Sequence, residues 1–254
     1  MKVSILGSGT SQGVPVIACE CEVCRSDNPK DKRLRCSVLI ENEGQTLVID
    51  TGPDFRQQML NHQVKSLDAV LFTHEHKDHV AGLDDIRAFN FKSGGKAMSI
   101  YATENVQKAL KREFAYVFAD TKYPGVPEVK LNTIDHQNFK VDGTLVQPIQ
   151  VMHYKLPVLG FRLGDFTYIT DANYIAEVEK EKIKGSKVLV LNALRQSEHI
   201  SHFNLEEALE LIDELGVQQA YLTHISHLMG KHEEVTPMLP SHVALAYDGL
   251  EIEV

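Results

Sequence analysis

The chain has no tryptophan and only four cysteines, and no apolar run approaches the ~20 residues that a membrane span requires. No basic-then-apolar segment precedes the first strand, so no export signal is read and a cytoplasmic protein without a membrane partner is expected. Three of the four cysteines fall within residues 19–24, which argues against a disulfide framework and for a metal site. Basic side chains are the minority, 26 Lys and Arg against 35 Asp and Glu, giving a net charge of −9. That balance speaks against a broad cationic surface gripping phosphates, and no stable nucleic-acid complex is expected. Divalent ions gathered in one cleft would still turn the field positive there, whatever the net charge. Internal repeats, low-complexity runs and Pro/Ser-rich linkers are also missing. Residues 1–254 therefore read as one domain, long enough to bury a core without external staples.

Short apolar runs alternate with polar punctuation. "KVSILG" (2–7) reads as a strand entering the loop "GSGTSQG", which lacks the Lys and helix context of a P-loop and reads as backbone turns. "CSVLIE" (36–41) and "TLVID" (46–50) make an expected hairpin, and "DAVLFT" (68–73) a buried strand. Val80, Leu83, Ile86 and Phe89 predict a helix over "HVAGLDDIRAFN", and a second is expected over 104–118. From about 119 to 160, with Pro124, Pro127, Pro148 and Pro157, short strands and loops are expected. A strand over 166–170, a helix near 174–184 and a strand over 187–192 follow. The helix "LEEALELIDELG" is marked by Asn204 as N-cap, Glu207 at the capping-box position and Gly216 at its end. "AYLTHI" (220–225) and the strand-like "VALAYDGLEIEV" complete the chain. Sheet layers flanked by helices, an α/β architecture, fit this order.

The densest chemical signal is "FTHEHKDHVAG". Residues two apart in a strand point the same way, so His74 and His76 at a strand end can converge on one ion. Asp78 and His79 follow where the chain turns into a helix and can face a second. Imidazole and carboxylate together suit zinc, manganese or iron(II). Three further residues share one placement, at the C-terminal end of an apolar run: His153 after "VQPIQVM", Asp171 after "FTYIT" and His224 after "AYLT". A carboxylate such as Asp171 can bridge two ions. Asp50, closing "TLVID", is expected to orient a ligand imidazole from behind rather than to touch metal. His62, His136, His232 and His242 are read as ordinary. Cys19, Cys21 and Cys24 supply three thiolates where a tetrahedral site needs four ligands, and Cys36 is one candidate for the fourth.

The string His74–x–His76–x–Asp78–His79, followed in order by His153, Asp171 and His224, resembles the metallo-β-lactamase fold hydrolases across essentially the whole chain. The resemblance implies a four-layer αββα sandwich with ions in the cleft between two sheets. It places one ion on His74, His76 and His153, another on Asp78, His79 and His224, and Asp171 between them. "GSGTSQGVPVIACECEVC" and "LTHISH" narrow the likeness to the cyclic-phosphate phosphodiesterases of the carbon–phosphorus lyase pathway. That subfamily implies a structural zinc on Cys19, Cys21, Cys24 and His227, stapling a loop around residues 10–35, with Cys36 the competing fourth ligand. It also implies a homodimer, and a histidine at 202 that contacts phosphate and protonates the leaving oxygen, with His199 the alternative.

Taken together, the expectation is a dinuclear phosphodiesterase acting on small, cyclic phosphodiesters through a metal-bridged hydroxide, with Asp78 and His202 in the catalytic set. Its cofactors would be two divalent catalytic ions (zinc or manganese, or else iron) and one structural zinc. Three alternatives stand beside it: a transfer-RNA 3′-processing endoribonuclease, a thioester or lactone hydrolase, and a metal-binding member without activity.

Overall fold

A computed structural model describes residues 1–254. The chain first lays down β1 (Lys2–Gly7), β2 (Ser37–Asn42), β3 (Gln45–Ile49), β4 (Ala69–Leu71), β5 (Met98–Ala102) and β6 (Val129–Thr133). Next come β7 (Phe139–Val141), β8 (Thr144–His153), β9 (Leu156–Leu163), β10 (Phe166–Ile169) and β11 (Tyr174–Ile175). The last four are β12 (Val188–Asn192), β13 (Gln219–Thr223), β14 (Val243–Leu245) and β15 (Glu251–Glu253). One sheet runs β15-β1-β2-β3-β4-β5-β6; the other runs β11-β8-β9-β10-β12-β13-β14, with β7 paired to β8. Each sheet starts antiparallel and becomes parallel, from β3 to β6 in the first and from β10 to β14 in the second.

Strand alternation explains why the runs are apolar on both sides. Ile5, Ile40, Ile49 and Leu71 face Phe161, Phe166, Tyr168 and Val190 in a core between the sheets. Their neighbours Leu6, Leu39, Val48 and Val70 point outward into a second core beneath Phe55, Val80, Ile86 and Leu110. Leu189, Leu191 and Leu222 do the same on the opposite side, beneath Leu205, Leu211, Ile212 and Leu215. Three stacked cores make four layers, helix on sheet on sheet on helix, in the metallo-β-lactamase arrangement. The helix Leu205–Leu215 has the reciprocal cap its sequence indicates: Glu207 N donates to Asn204 Oδ1 at 2.9 Å, and Asn204 N to Glu207 Oε2 at 2.8 Å. Gly216 ends it at φ +63°. No helix is long and apolar enough to cross a membrane.

Local departures from the sequence reading have physical causes. The helix expected over 79–90 is three pieces, Lys77–Val80, a 3-10 turn at Leu83–Ile86, and Arg87–Lys92. Gly82 breaks it by packing against the backbone of Gly52, so closely that a Cβ there would sit 2.1 Å from the Gly52 carbonyl oxygen. The helix expected over 104–118 stops at Glu113, and Ala115–Val117 is a 3-10 turn. The Pro-containing region holds the longest strands, β8 and β9, as one hairpin. Pro148 is tolerated because β7 pairs only through Val146 and β11 begins pairing at Val151, leaving that edge without a backbone partner. Residues 174–175 are strand β11, and the helix there spans only Glu177–Ile183. A helix at Phe55–Asn61 was not expected at all.

Candidate active site

The crevice lies beyond the carboxyl ends of the parallel strands of both sheets, where α/β folds commonly bind ligands. Asp50, Asp171 and His224 each sit just past a strand in left-handed backbone, at φ +64°, +57° and +56°. Such conformations are costly for residues with a Cβ and are retained where a side chain must be turned in a particular direction. Here all three turn into one buried pocket, with relative exposures of 0%, 2% and 1%.

Asp50 organises the first sheet's contribution. Its Oδ1 accepts from Thr73 N at 2.9 Å, and its Oδ2 accepts from Thr73 Oγ1 at 2.8 Å. The Thr73 hydroxyl also lies 2.9 Å from His74 Nδ1. Oδ2 of Asp50 meets His79 Nδ1 at 2.7 Å, so the other nitrogen of His79 turns inward. That Nε2 lies 3.2 Å from Asp78 Oδ2 and 3.2 Å from Asp171 Oδ2. In the second sheet, His153 Nδ1 donates to the Ser201 carbonyl at 2.7 Å, which leaves its Nε2 lone pair free. Asp171 Oδ2 is 3.2 Å from His224 Nδ1, and Asp171 Oδ1 is 3.1 Å from His202 Nε2.

Asp171 is the common member of three groups whose donor atoms lie within 4.8 Å of one another. These are His74–His79–Asp171, Asp78–Asp171–His224 and His153–Asp171–His202. His76 is beside them but in none of the groups, its ring centred 4.6 Å from that of His74 and 5.2 Å from that of His153. His202 enters a group, so by position alone it can act as a ligand or face a substrate.

Two features of this pocket fit divalent cations. The Nε2 atom of His74 is buried without a hydrogen-bond partner, an arrangement that is costly unless something else satisfies it, and Nε2 of His79 meets only the two carboxylates, out of line for a hydrogen bond. The charges also ask for cations. Burial alone would raise the carboxyls of Asp78 and Asp171, but His79 and His224 override it and hold both below the carboxylate range. Burial opposes charge on His224, yet Asp171 draws its imidazole up to about 10. His79 moves up for the same reason, against burial, under Asp171 and Asp50. Burial pushes His74 and His76 down, and His202 down to about 4. Clustered carboxylates thus recruit protons onto neighbouring imidazoles, which is the place a metal ion takes by displacing them.

A second cluster lies beside this pocket. His227 Nδ1 is 3.2 Å from Cys19 Sγ, 3.4 Å from Cys21 Sγ and 3.6 Å from Cys24 Sγ. The backbone N–H of Cys24 lowers the Cys21 thiol to about 6, whereas burial raises Cys24 to about 11. Three thiols and one imidazole nitrogen, all within 4.8 Å of one another, are the donor set of a closed zinc site. Cys36 is elsewhere, its Sγ donating to the Gly9 carbonyl at 3.2 Å. Ile225, between His224 and His227, is zipped to the Gly-rich loop: its N–H donates to Ser8 O at 2.9 Å and its carbonyl accepts from Thr10 N at 3.1 Å.

Some contributors escaped the sequence reading. Thr73, Ser201 and Thr170 orient site residues through hydroxyls or carbonyls, a role that no spacing reveals. Asn192 is different. It is fully buried and exchanges two 2.8 Å hydrogen bonds with the backbone of Ala172, locking the turn that carries Asp171. It ends an apolar strand, the same placement that singled out His153, Asp171 and His224, and could have been found by that signal. His232 belongs to a different buried network, with Nδ1 3.4 Å from Arg33 Nη2.

This chain is similar to several known proteins. A family model described as "Beta-lactamase superfamily domain" matches residues 45–225. The crystal structure of a new diphosphatase from the PhnP family superposes with a TM-score of 0.93 at 38% identity, covering 100% of this chain and 97% of that one. Zn²⁺-bound PqqB from Methylobacterium extorquens has a TM-score of 0.81 at 21% identity, covering both chains fully, a likeness of fold. An octanoyltransferase of Porphyromonas gingivalis is 42% identical over 254 residues, 99% of this chain. The match spans only about half, 51%, of that protein's length.

Proposed function

This chain belongs to the metallo-β-lactamase superfamily of metal-dependent hydrolases, and from that premise we propose that it hydrolyses small phosphodiesters, cyclic ones in particular. The observation that carries the reading is Asp171. One of its oxygens is turned to the imidazoles of His79 and His224, the other to His202. In this reading His74, His76 and His153 hold one cation, Asp78, His79 and His224 hold the other, and Asp171 serves both. Cys19, Cys21, Cys24 and His227 hold a structural zinc. A pair of divalent ions supplies a water acidified to near-neutral pKa and neutralises charge on a phosphate oxygen.

The chain's own residues do the rest. Asp50 holds His79 and, through Thr73, His74, so their inward nitrogens are aimed before anything binds. Ser201 fixes His153 in the same way. His202 is placed to protonate the departing alkoxide, help worth ~10²–10⁴-fold when positioned. Burial depresses its pKa, and an anionic phosphate in the crevice opposes that depression. Likeness to a diphosphatase supports phosphoryl chemistry, and a small substrate suits a protein of net charge −9.

The test is turnover of bis(p-nitrophenyl) phosphate and a 2′,3′-cyclic nucleotide by protein of assayed metal content, zinc- or manganese-loaded. Turnover of both is expected, with His202→Ala losing far more on the cyclic nucleotide than on the activated aryl ester. No turnover with any divalent metal, in protein that holds its ions, would sink the proposal. A second reading, hydrolysis of an acyl thioester, is favoured by the 42% identity to an octanoyltransferase, although the chain spans only 51% of that protein. An octanoyl thioester in the same assay decides between them.

A further inference from the structure

Two joined cavities open at the end of the first sheet opposite the metal crevice. Residues 65–68 lead into β4 and residues 96–97 into β5, so the openings lie at the amino ends of these strands. One cavity, of about 220 Å³, is bordered by Lys65, Phe89, Lys92, Lys96 and Met98. The other, of about 260 Å³, shares Lys65, Phe89 and Lys92 with it and adds Phe55, Met59, Leu60 and Val64. Helix Arg87–Lys92 is fixed beside them by Asn90, which is 3% exposed. Asn90 Nδ2 donates to Lys96 O at 2.8 Å and to Glu128 O at 2.9 Å, and Glu128 N donates to Asn90 Oδ1 at 3.0 Å. The walls are therefore set before anything binds.

The floor is apolar and the rim is cationic. Phe55, Met59 and Met98 belong to the core under the outer helices, and Phe89 packs against it with its ring 6.4 Å from that of Phe55. Leu60, at the edge, is 56% exposed. Lys92 Nζ reaches across to the Lys65 carbonyl at 2.5 Å, so its ammonium stands where the two cavities meet. Two carboxylates are in the lining, and neither is paired with a lysine: Asp68 accepts from Thr46 N at 2.8 Å, and Asp85 shares its wall with Arg56. Four cationic side chains against two acidic ones invert the balance of a chain with 26 Lys and Arg against 35 Asp and Glu. Ammonium groups gathered round so small a space repel one another unless an anion sits among them.

We propose that this double cavity binds a small amphipathic anion, its head among Lys65, Lys92 and Lys96 and its apolar tail over Phe55, Met59 and Phe89. The tail removes from water an apolar floor that the fold leaves open, and the head answers a local charge that the rest of the surface lacks. A concave apolar pocket with a few charged groups at one end is the usual form of a small-molecule site. The floor is recessed between helices, which suits a single free molecule better than the face of a membrane. None of the groups involved belongs to the metal crevice, so the proposal stands apart from the reading of this chain as a phosphodiesterase.

Two methionines report on the site, Met98 in one cavity and Met59 in the other. The test is a methyl ¹H–¹³C titration of the zinc-loaded full chain, with labelled methionine, against butyrate, hexanoate and decanoate below their micelle concentrations. Met59 and Met98 are expected to shift together and saturably, while Met229, fully buried in the opposite core, stays put. Affinity should rise by up to about 4-fold for each methylene added while the tail still fits, and fall as salt is raised. Decanol should bind more weakly than decanoate, and decyltrimethylammonium more weakly still. The double variant Lys65→Gln, Lys92→Gln should lose roughly 2–30-fold in decanoate affinity with an unchanged melting temperature. Unmoved Met59 and Met98 signals, or equal affinities for the anion and the cation, would overturn the proposal. So would sedimentation with phosphatidylglycerol vesicles by a chain that ignores free decanoate, which would make the groove a membrane contact.

Discussion

Asp50 grips His79 at 2.7 Å from behind, on the side of the ring opposite to Asp171. A carboxylate that orients a ligand imidazole in this way fixes which nitrogen faces the ion and raises its basicity, and its loss typically costs 10–100-fold in metal affinity or activity. Asp50→Asn keeps the size but weakens the acceptor of both Thr73 and His79. We expect roughly 10–100-fold lower kcat at fixed metal, with a weakened affinity in a competitive zinc titration. Wild-type zinc affinity in the variant would show that His79 needs no such brace.

The thiolate cluster is expected to act as a cross-link between the loop around Cys19–Cys24 and the segment after β13. Cys21→Ser should remove about one equivalent of zinc. Cross-links of this kind contribute ~2–5 kcal/mol, which at 2–4 °C per kcal/mol is a drop of roughly 4–20 °C in Tm. Metal analysis and calorimetry on the purified variant check both. Full zinc content at an unaltered Tm would exclude the thiolates as ligands.

Gly82→Ala should disturb the site from outside it. A Cβ would sit 2.1 Å from the Gly52 carbonyl and 2.8 Å from Phe55 Cβ, so backbone must move. Overpacking of this kind costs ~1–3 kcal/mol, and the displaced segment leads directly back to His79 through the Gly82 N–H to Thr51 O and Thr51 N–H to His79 O bonds. A urea midpoint indistinguishable from wild type would mean the contact is slack.

Stability should carry an acid arm from His232. Burial, reinforced by Arg33, lowers its imidazole to about 4, against an ordinary value of 6.5. Between those values the unfolded chain binds a proton that the folded chain refuses, so the His232 contribution falls as pH drops from about 7 towards 4. Asp248 works in the opposite sense: burial raises it to about 6, so the folded state holds a proton that the unfolded state has released. Replacing His232 by Gln isolates its part. The urea midpoint of wild type minus that of His232→Gln should shrink as pH is lowered from 7 to 4.5, and a constant difference would refute the assignment.

Much of the site was legible because metal-binding chemistry uses few residue types in tight local patterns. His74, His76, Asp78 and His79 are confined to six positions, and period-two geometry alone makes two of them converge. His153, Asp171 and His224 were readable from a shared position at strand ends, and the crevice draws all three together. What stayed hidden is what depends on tertiary context. Thr73 acts through a common side-chain hydroxyl and Ser201 through a main-chain carbonyl, groups whose partners only the fold decides. The break at Gly82 comes from a neighbour thirty residues upstream, which no helical period encodes. The stretch from about 119 to 160 read as short strands and loops, and the long strand through Pro148 stayed hidden because the vacant edge that accommodates it is made by partners on either side.

The two sheets each bring part of the pocket: the segment from His74 to His79 comes from one, and His153, Asp171 and His224 from the other. Every cation seated among them is therefore a rivet through both leaves of the sandwich. The spacing of the donors is set by how Phe161, Phe166 and Tyr168 wedge against Ile5, Ile40 and Leu71, well away from any reacting atom. On the proposed reading, loading ions would also clamp the leaves together, so trimming a remote aromatic should weaken the grip on metal without touching an imidazole.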